Sequence, residues 1–497
     1  MIGLHCRLLM AQCALRQDNR EAQQFPAAPP PSPERWFQVK SFRAVVAACL
    51  LAGCPQPANE LPNENRCALE TSCGECTTAG CGWCGTPPGD PNPGGFCSSS
   101  IVGCATPAGF VTSEVMCKPE TPGPHALAFL PYQSVLALGP NTIKLADLDG
   151  DGRLDIVTTC LNQLEQANGF NVSRNIDTVD NAPLFQRFET FQCTGPAGLA
   201  IGDLNADGKP ELFGAVISSQ NVCARINATT TQGTFVLDPQ LLGSGPGTRD
   251  IEVADFNEDG RPDLVTANAS SVDEAGSILL NTTAVGAATL TFHPRTNVPY
   301  PSGGLGLAVG DLDGDQRPDL VLVGVTQSGP QSVRYFINET PTGGAIASFR
   351  SGDLVSPVFV APYGAAVGDL NGDGKADIVV SEINEGLAHV FMNTASGDSF
   401  IPGEDLALPG LYHGSVEIAD LNGDGKPDIV VNNGTDHSVS VFVNETATGA
   451  TQLTLAMRRD FFVGGQPGTI AIGDLNGDGR PDLAATVGDT VCVLASD

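Results

Sequence analysis

The chain has 497 residues, too many for one ordinary core unless stacked repeats extend a single domain. Its 56 acidic residues against 25 basic ones argue against nucleic acid or an anionic membrane surface as partner. Scarce Lys and Glu, 58 Gly and short apolar alternations without sustained heptads exclude a helical protein and indicate an all-β one.

Residues 1–38 mix polar residues with a Pro run and lack periodicity, which reads as a disordered or mis-included leader, with the working start expected near Val39. Residues 39–54 then follow the pattern of a secretion signal: basic Lys40 and Arg43, an apolar run from Ala44 to Ala52, and a small-residue boundary. That run is far short of the ~20 residues a spanning helix needs. Leu51-Ala52-Gly53-Cys54 resembles the bacterial lipobox, which implies acyl chains on Cys54. A buried apolar segment ending in an ordinary Cys is the competing reading. Residues 55–66 have two Leu as their only core-forming residues and read as a tether.

Eight of the sixteen Cys fall between Cys67 and Cys117, a density expected of a small disulfide framework. Zinc competes on the spacing of "CGEC" and "CGWC", and export disfavours it. The run "CALETSCGECTTAGCGWCG" within residues 67–118 resembles the PSI module of plexins, semaphorins and integrins. The resemblance implies the pairs Cys67–Cys81, Cys73–Cys117, Cys76–Cys97 and Cys84–Cys104, a core Trp83, and a spacer role beside a propeller.

From residue 126 to 497 the chain repeats, with a nine-residue acidic motif every 51 to 58 residues. Each motif lies between two apolar strands, a third strand follows, and a fourth segment precedes the next copy. A period near fifty with four strands per repeat predicts a propeller, here of seven blades. The chain ends after the third strand of the seventh blade, so residues 126–135 are expected to supply its outer strand and close the ring. The expected fold is therefore an all-β, seven-bladed β-propeller with a small disulfide-rich N-terminal module.

Oxygens at positions one, three and five, a carbonyl at seven and an acid at nine suit one hard cation. Position one is Asp147, Asp203, Asp255, Asp311, Asp369, Asp420 and Asp474. Position three is Asp149, Asn205, Asn257, Asp313, Asn371, Asn422 and Asn476, and position five is Asp151, Asp207, Asp259, Asp315, Asp373, Asp424 and Asp478. Position seven is Arg153, Lys209, Arg261, Arg317, Lys375, Lys426 and Arg480, whose carbonyls are expected to bind while the side chains screen the acids. Position nine is Asp155, Glu211, Asp263, Asp319, Asp377, Asp428 and Asp482. Gly at position six allows a sharp turn, and Gln316 breaks that rule in the fourth copy, which marks the loop expected to be distorted. An EF-hand needs a carboxylate at position twelve, where this chain has Thr158, Gly214, Thr266, Leu322, Val380, Val431 and Ala485. The expected cofactor is Ca2+, up to one ion per blade, held in a strand–loop–strand hairpin.

The seven copies resemble the FG-GAP and VCBS repeats of integrin-α-like propellers, although the "FG" and "GAP" landmarks are mostly absent. The resemblance implies that partners bind the face opposite the acidic loops. On this chain that face is expected to carry Arg249, Tyr300, Tyr363, Tyr412 and His413, against the plain alternative of loop residues packing on their own blades. The six His are scattered and no hydrolase or phosphate-loop motif appears, so the first reading is a non-catalytic scaffold for adhesion or for surface protein or glycan recognition. An exported propeller hydrolase or lyase acting on a polysaccharide or other polymer is the alternative. The expected location is the bacterial cell envelope, at the outer membrane or cell surface, with the membrane reached through the lipid anchor alone. Seven Asn-x-Ser/Thr sequons, at Asn171, Asn227, Asn268, Asn281, Asn338, Asn433 and Asn444, read as strand-end residues, and Cys160, Cys193 and Cys223 leave one disulfide open without fixing the pair.

Overall fold

The computed structural model describes residues 82–84, 96–98, 110–111 and 127–496, apart from 131, 161–167, 180, 271–273, 300–302, 326–331, 355–358 and 394–398. The leader, signal segment, lipobox Cys54 and tether lie outside the described residues, as do the side chains of the eight clustered Cys and Tyr300. Three short strands, Gly82–Cys84, Phe96–Ser98 and Phe110–Val111, form a small antiparallel sheet with the first at its centre.

The repeats fold into seven antiparallel sheets, and in the first six the strands run in chain order from inside to outside. Blades 1 to 7 begin with the inner strands Pro140–Ala146, Pro196–Gly202, Thr248–Ala254, Gly303–Gly310, Pro362–Gly368, Val416–Ala419 and Pro467–Gly473. Pro opens four of them, a position where its missing N–H costs the ladder nothing. Second strands such as Asp155–Cys160, Asp263–Asn268 and Asp428–Asn433 are buried along their whole length, since a neighbouring blade covers each face. The core is accordingly laminar. One apolar cluster fills each seam between neighbours, as where Ala200 and Phe213 of blade 2 meet Ile251 and Leu264 of blade 3.

Closure follows the expected route with a shifted boundary. Gln133–Leu136 pairs antiparallel with Thr490–Leu494 as the outer strand of blade 7, and Phe129 bridges Ser496. Blade 1 carries an added hairpin, Asn175–Val179 with Ala182–Phe185, before its outer strand Glu189–Gln192. Blade 5 splits its outer strand into Phe400–Pro402 and Leu406–Ala407.

Candidate metal loops and the opposite face

Each acidic motif joins the inner strand to the second strand of its blade, and the chain there is wound around its own aspartates. In the sixth loop Asp420 Oδ1 accepts the N–H groups of Gly423 (2.8 Å) and Asp424 (3.1 Å), and its Oδ2 accepts that of Gly425 (2.8 Å). Asn422 Oδ1 accepts from Asp424 N (3.0 Å), and Asp424 Oδ1 from Lys426 N (2.9 Å). The tight turn needs two left-handed residues, at positions four and six. Gln316 fills position six of the fourth loop with φ 70°, yet its N–H reaches Asp311 Oδ2 at 2.8 Å, as the glycines do. The expected distortion is absent there. Ala206 (φ 54°) and Glu258 (φ 52°) put non-glycine residues at the left-handed fourth position of loops two and three, a strain the motif gave no sign of.

Position nine does two jobs. Asp428 Oδ2 accepts Leu421 N (3.0 Å) and Oδ1 accepts Asn444 N (2.8 Å), which ties the loop to the end of the third strand. Burial pushes Asp155, Glu211, Asp263, Asp319 and Asp377 up to about 7, and Asp428 to about 6, against the pull of these N–H donors. The neighbouring loop acids push the same way. One oxygen from each of Asp147, Asp149 and Asp155 lies within 4.8 Å of the others, and the same holds for Asp203, Asp207 and Glu211 and for Asp311, Asp313 and Asp315. Glu211 Oε1 is buried with no partner. Such all-oxygen, anionic sets fit a hard divalent cation. At position seven, Arg153, Arg261 and Arg317 pair with the acid two residues earlier, as expected of a screening role. In the first loop Arg174 also bonds Asp149 (2.5 Å) and Asp151 (3.0 Å).

The loops also fasten blade to blade. The Asn closing a third strand donates to its own loop and to the loop of the preceding blade: Asn281 Nδ2 to Pro262 O (2.9 Å) and Leu204 O (2.7 Å), and Asn444 Nδ2 to Pro427 O (2.9 Å) and Leu370 O (2.7 Å). Asn227, Asn338 and Asn393 do likewise, and Asn175 closes the ring onto Leu475 O of blade 7 (2.7 Å). Ser496 holds this place in blade 7. The Thr N–H two residues on bonds the Asn Oδ1, as in Thr283 to Asn281 (2.8 Å), so the sequons at Asn227, Asn281, Asn338 and Asn444 are strand-end clamps. All seven sequon Asn are buried.

Position three reaches the next blade. Asn205, Asn257 and Asn371 donate Nδ2 to Ala287 O (3.1 Å), Gly344 O (3.0 Å) and Ala450 O (2.9 Å). Asp149 instead accepts Gly233 N (2.7 Å). Amide or carboxylate thus follows the polarity of the neighbour.

At the opposite end of the inner strands of blades 3, 4 and 5 a β-bulge leaves one residue unpaired. In blades 3 and 5 these residues are Arg249 and Tyr363. The Arg249 guanidinium bonds Tyr363 Oη (2.7 Å) and lies 5.4 Å from the ring centroid. Tyr412, in the loop leading into blade 6, is left-handed (φ 66°) and 45% exposed. His413 does not belong to this face: it is fully buried, with Nδ1 2.9 Å from Asn432 O, because the bulky ring packs under its own loop. Sequence reasoning also missed charges at the ring axis. Lys144 of blade 1 bonds Glu252 of blade 3 (2.7 Å), with Asp250 and Glu417 of blade 6 acting on the same Lys. Lys144, Glu252 and Glu417 each stand three residues before an acidic loop, where the other four blades have Ala. Aligning the repeats at that position would have revealed them.

Fold and loops together define a seven-bladed, integrin-α-like propeller whose blades are joined through aspartate-rich hairpins. The FG-GAP-like repeat model matches residues 193–266, 311–380, 369–431 and 420–485, just over half of the chain, which therefore belongs to that family. Among curated proteins it is similar to integrin alpha pat-2 of Caenorhabditis briggsae, 24% identical over an aligned length of 328, which covers 57% of this chain and 26% of the relative. It is also similar to a T-cell immunomodulatory protein homolog of Plasmodium falciparum (isolate 3D7), 23% identical over 40% of this chain and 27% of that one. The chain spans about a quarter of the length of these relatives. Of solved structures, a chain of apo ctPRC2 in an autoinhibited state matches with a TM-score of 0.52 at 10% identity, over 75% of this chain and 99% of that one, which supports the fold alone.

Proposed function

We propose that the protein is a non-catalytic recognition scaffold of the cell surface, a propeller stiffened by Ca2+ that presents its bulged face to a surface protein or glycan. The reading is carried by the separation of two chemistries along each inner strand. At one end acidic loops clamp blade to blade, and at the other Arg249, Tyr363 and Tyr412 offer the aromatic and guanidinium groups that recognition surfaces favour. Calcium is favoured over magnesium by the number and flexibility of the oxygen donors. Residues 39–54 export the chain, acyl groups on Cys54 tether it, and residues 67–118 form a PSI-like spacer.

The test uses the purified full chain against a glycan array, recombinant surface proteins and polysaccharides. Binding that weakens tenfold or more in R249A or Y412A, with melting unchanged, supports the reading. Turnover of a polymer that is lost on substituting a residue outside the acidic loops overturns it. Calcium is expected to raise the melting temperature and chelator to lower it, so a chelator that alters binding but leaves melting untouched refutes the stiffening role. Fatty-acid labelling that persists in C54S removes the tether.

A further inference from the structure

Four Cys lie within the propeller, and two of them meet. Cys193 follows the outer strand of blade 1, and its N–H bonds Asn168 O (2.9 Å). Cys223 sits in the third strand of blade 2, Asn221–Asn227. Both belong to the apolar cluster that fills the seam between blades 1 and 2, 6% and 5% exposed, where they stand as free thiols close enough to act on each other. Arg225 stands two residues beyond Cys223, on the same face of that strand. It is 9% exposed, and among the described residues its Nε has no hydrogen-bond partner. A buried guanidinium beside a thiol favours the thiolate. The contact from Cys193, and then Arg225, hold the Cys223 thiol below its ordinary value, while the same contact and burial raise that of Cys193. Cys160 contacts Leu138 O, and Cys492 lies in the cluster between blades 6 and 7.

We propose that Cys193 and Cys223 form a disulfide that cross-links blade 1 to blade 2, with Cys223 as the attacking sulfur. The Cys223 thiolate attacks a sulfur of an oxidant disulfide, R–S–S–R, and releases one thiolate. Cys193, as it loses its proton, attacks the Cys223 sulfur of the mixed disulfide and expels the second. Two electrons and two protons pass to the oxidant, which leaves as two thiols. In the closed seam neither sulfur is reachable, so the bond forms while the chain folds or when the seam opens.

The experiment takes the full chain, reduced and denatured, and refolds it in a buffer of reduced and oxidised glutathione. Acid trapping, alkylation, digestion and mass spectrometry follow. The expected product is a peptide pair joining Cys193 to Cys223, lighter by two hydrogens than the dithiol, with Cys160 and Cys492 alkylated. In C193S the pair is lost and a glutathione adduct accumulates on Cys223. R225Q slows pairing about tenfold. Equal alkylation of all four propeller Cys, or pairing of either residue with Cys160, overturns the assignment. An unchanged rate in R225Q removes Cys223 as the attacking partner.

Discussion

Replacing Asn281 by Ala tests whether the ring is held at its acidic loops. The side chain is fully buried and makes three hydrogen bonds: to Leu204 O (2.7 Å), to Pro262 O (2.9 Å) and from Thr283 N (2.8 Å). Alanine leaves two carbonyls and one N–H without partners. Each stranded group costs about 1–3 kcal/mol, and because the three relax together the expected loss is about 3–4 kcal/mol. At about 2–4 °C per kcal/mol for a large domain, melting falls by about 6–16 °C. The control is Asn422 at position three of the sixth loop, whose side chain bonds only Asp424 of its own loop (3.3 and 3.0 Å). N422A is expected to lose about 1 kcal/mol. Calorimetry of both variants in excess chelator, where no ion contributes to either loop, gives the comparison. A loss in N281A no greater than in N422A would refute the claim that these amides hold one blade to the next.

Three further outcomes follow from the geometry. N205D turns a donor toward Ala287 O into a carboxylate and is expected to lower stability by about 2 kcal/mol, more than N422D, whose amide bonds only Asp424 of its own loop; equal losses in denaturant titration would break the polarity argument. Q316G relieves a left-handed Gln (φ 70°) and is expected to add about 0.5–1 kcal/mol, while a melting point at or below wild type would mean that the loop carries no strain. Burial raises Glu417 from 4.5 to about 7, with Lys144 opposing and Glu252 and Asp250 adding to the shift. A raised folded value means that this contribution is fully present below pH 4.5 and is lost as pH rises through about 7. E417Q is therefore expected to melt above wild type at pH 8 and level with it at pH 5, and the opposite order would reverse the assignment.

The blade count was legible because the acidic motif marks one junction, inner strand to second strand, and the chain carries it seven times. Closure by residues 126–135 was legible as the outer strand that blade 7 lacked, although the continuous strand is Gln133–Leu136, preceded by the bridge of Phe129 to Ser496. Partners far apart in sequence were not legible. Asn281 reaches Leu204 across 77 residues, and Asn444 reaches Leu370 across 74. A period of repeats shows that an Asn recurs and says nothing of the carbonyl it meets. His413 misled for a related reason: a ring within an aromatic loop reads as display, and only packing decides whether it faces water or the loop's own carbonyls.

The choice between Asn and Asp at position three bears on what the loops are for. A site shaped by cation affinity alone would gain from Asp in every copy, since each added carboxylate raises the local negative charge. Five copies instead have Asn, and in Asn205, Asn257, Asn371 and Asn476 the amide nitrogen donates to a carbonyl outside its own blade. Asn422 is the exception, and the topology explains it: the fourth strand of blade 7 is Gln133–Leu136, so no turn from third to fourth strand stands beside the sixth loop, and the Asn422 side chain bonds only Asp424. Asp149 occurs where the neighbour offers an N–H and Arg174 supplies a cation. Residue choice at this position thus answers to the seam as well as to the ion. A cation bound in each loop would be expected to stabilise the contact between blades, so that removing it loosens the ring at its seams before it disturbs any single sheet.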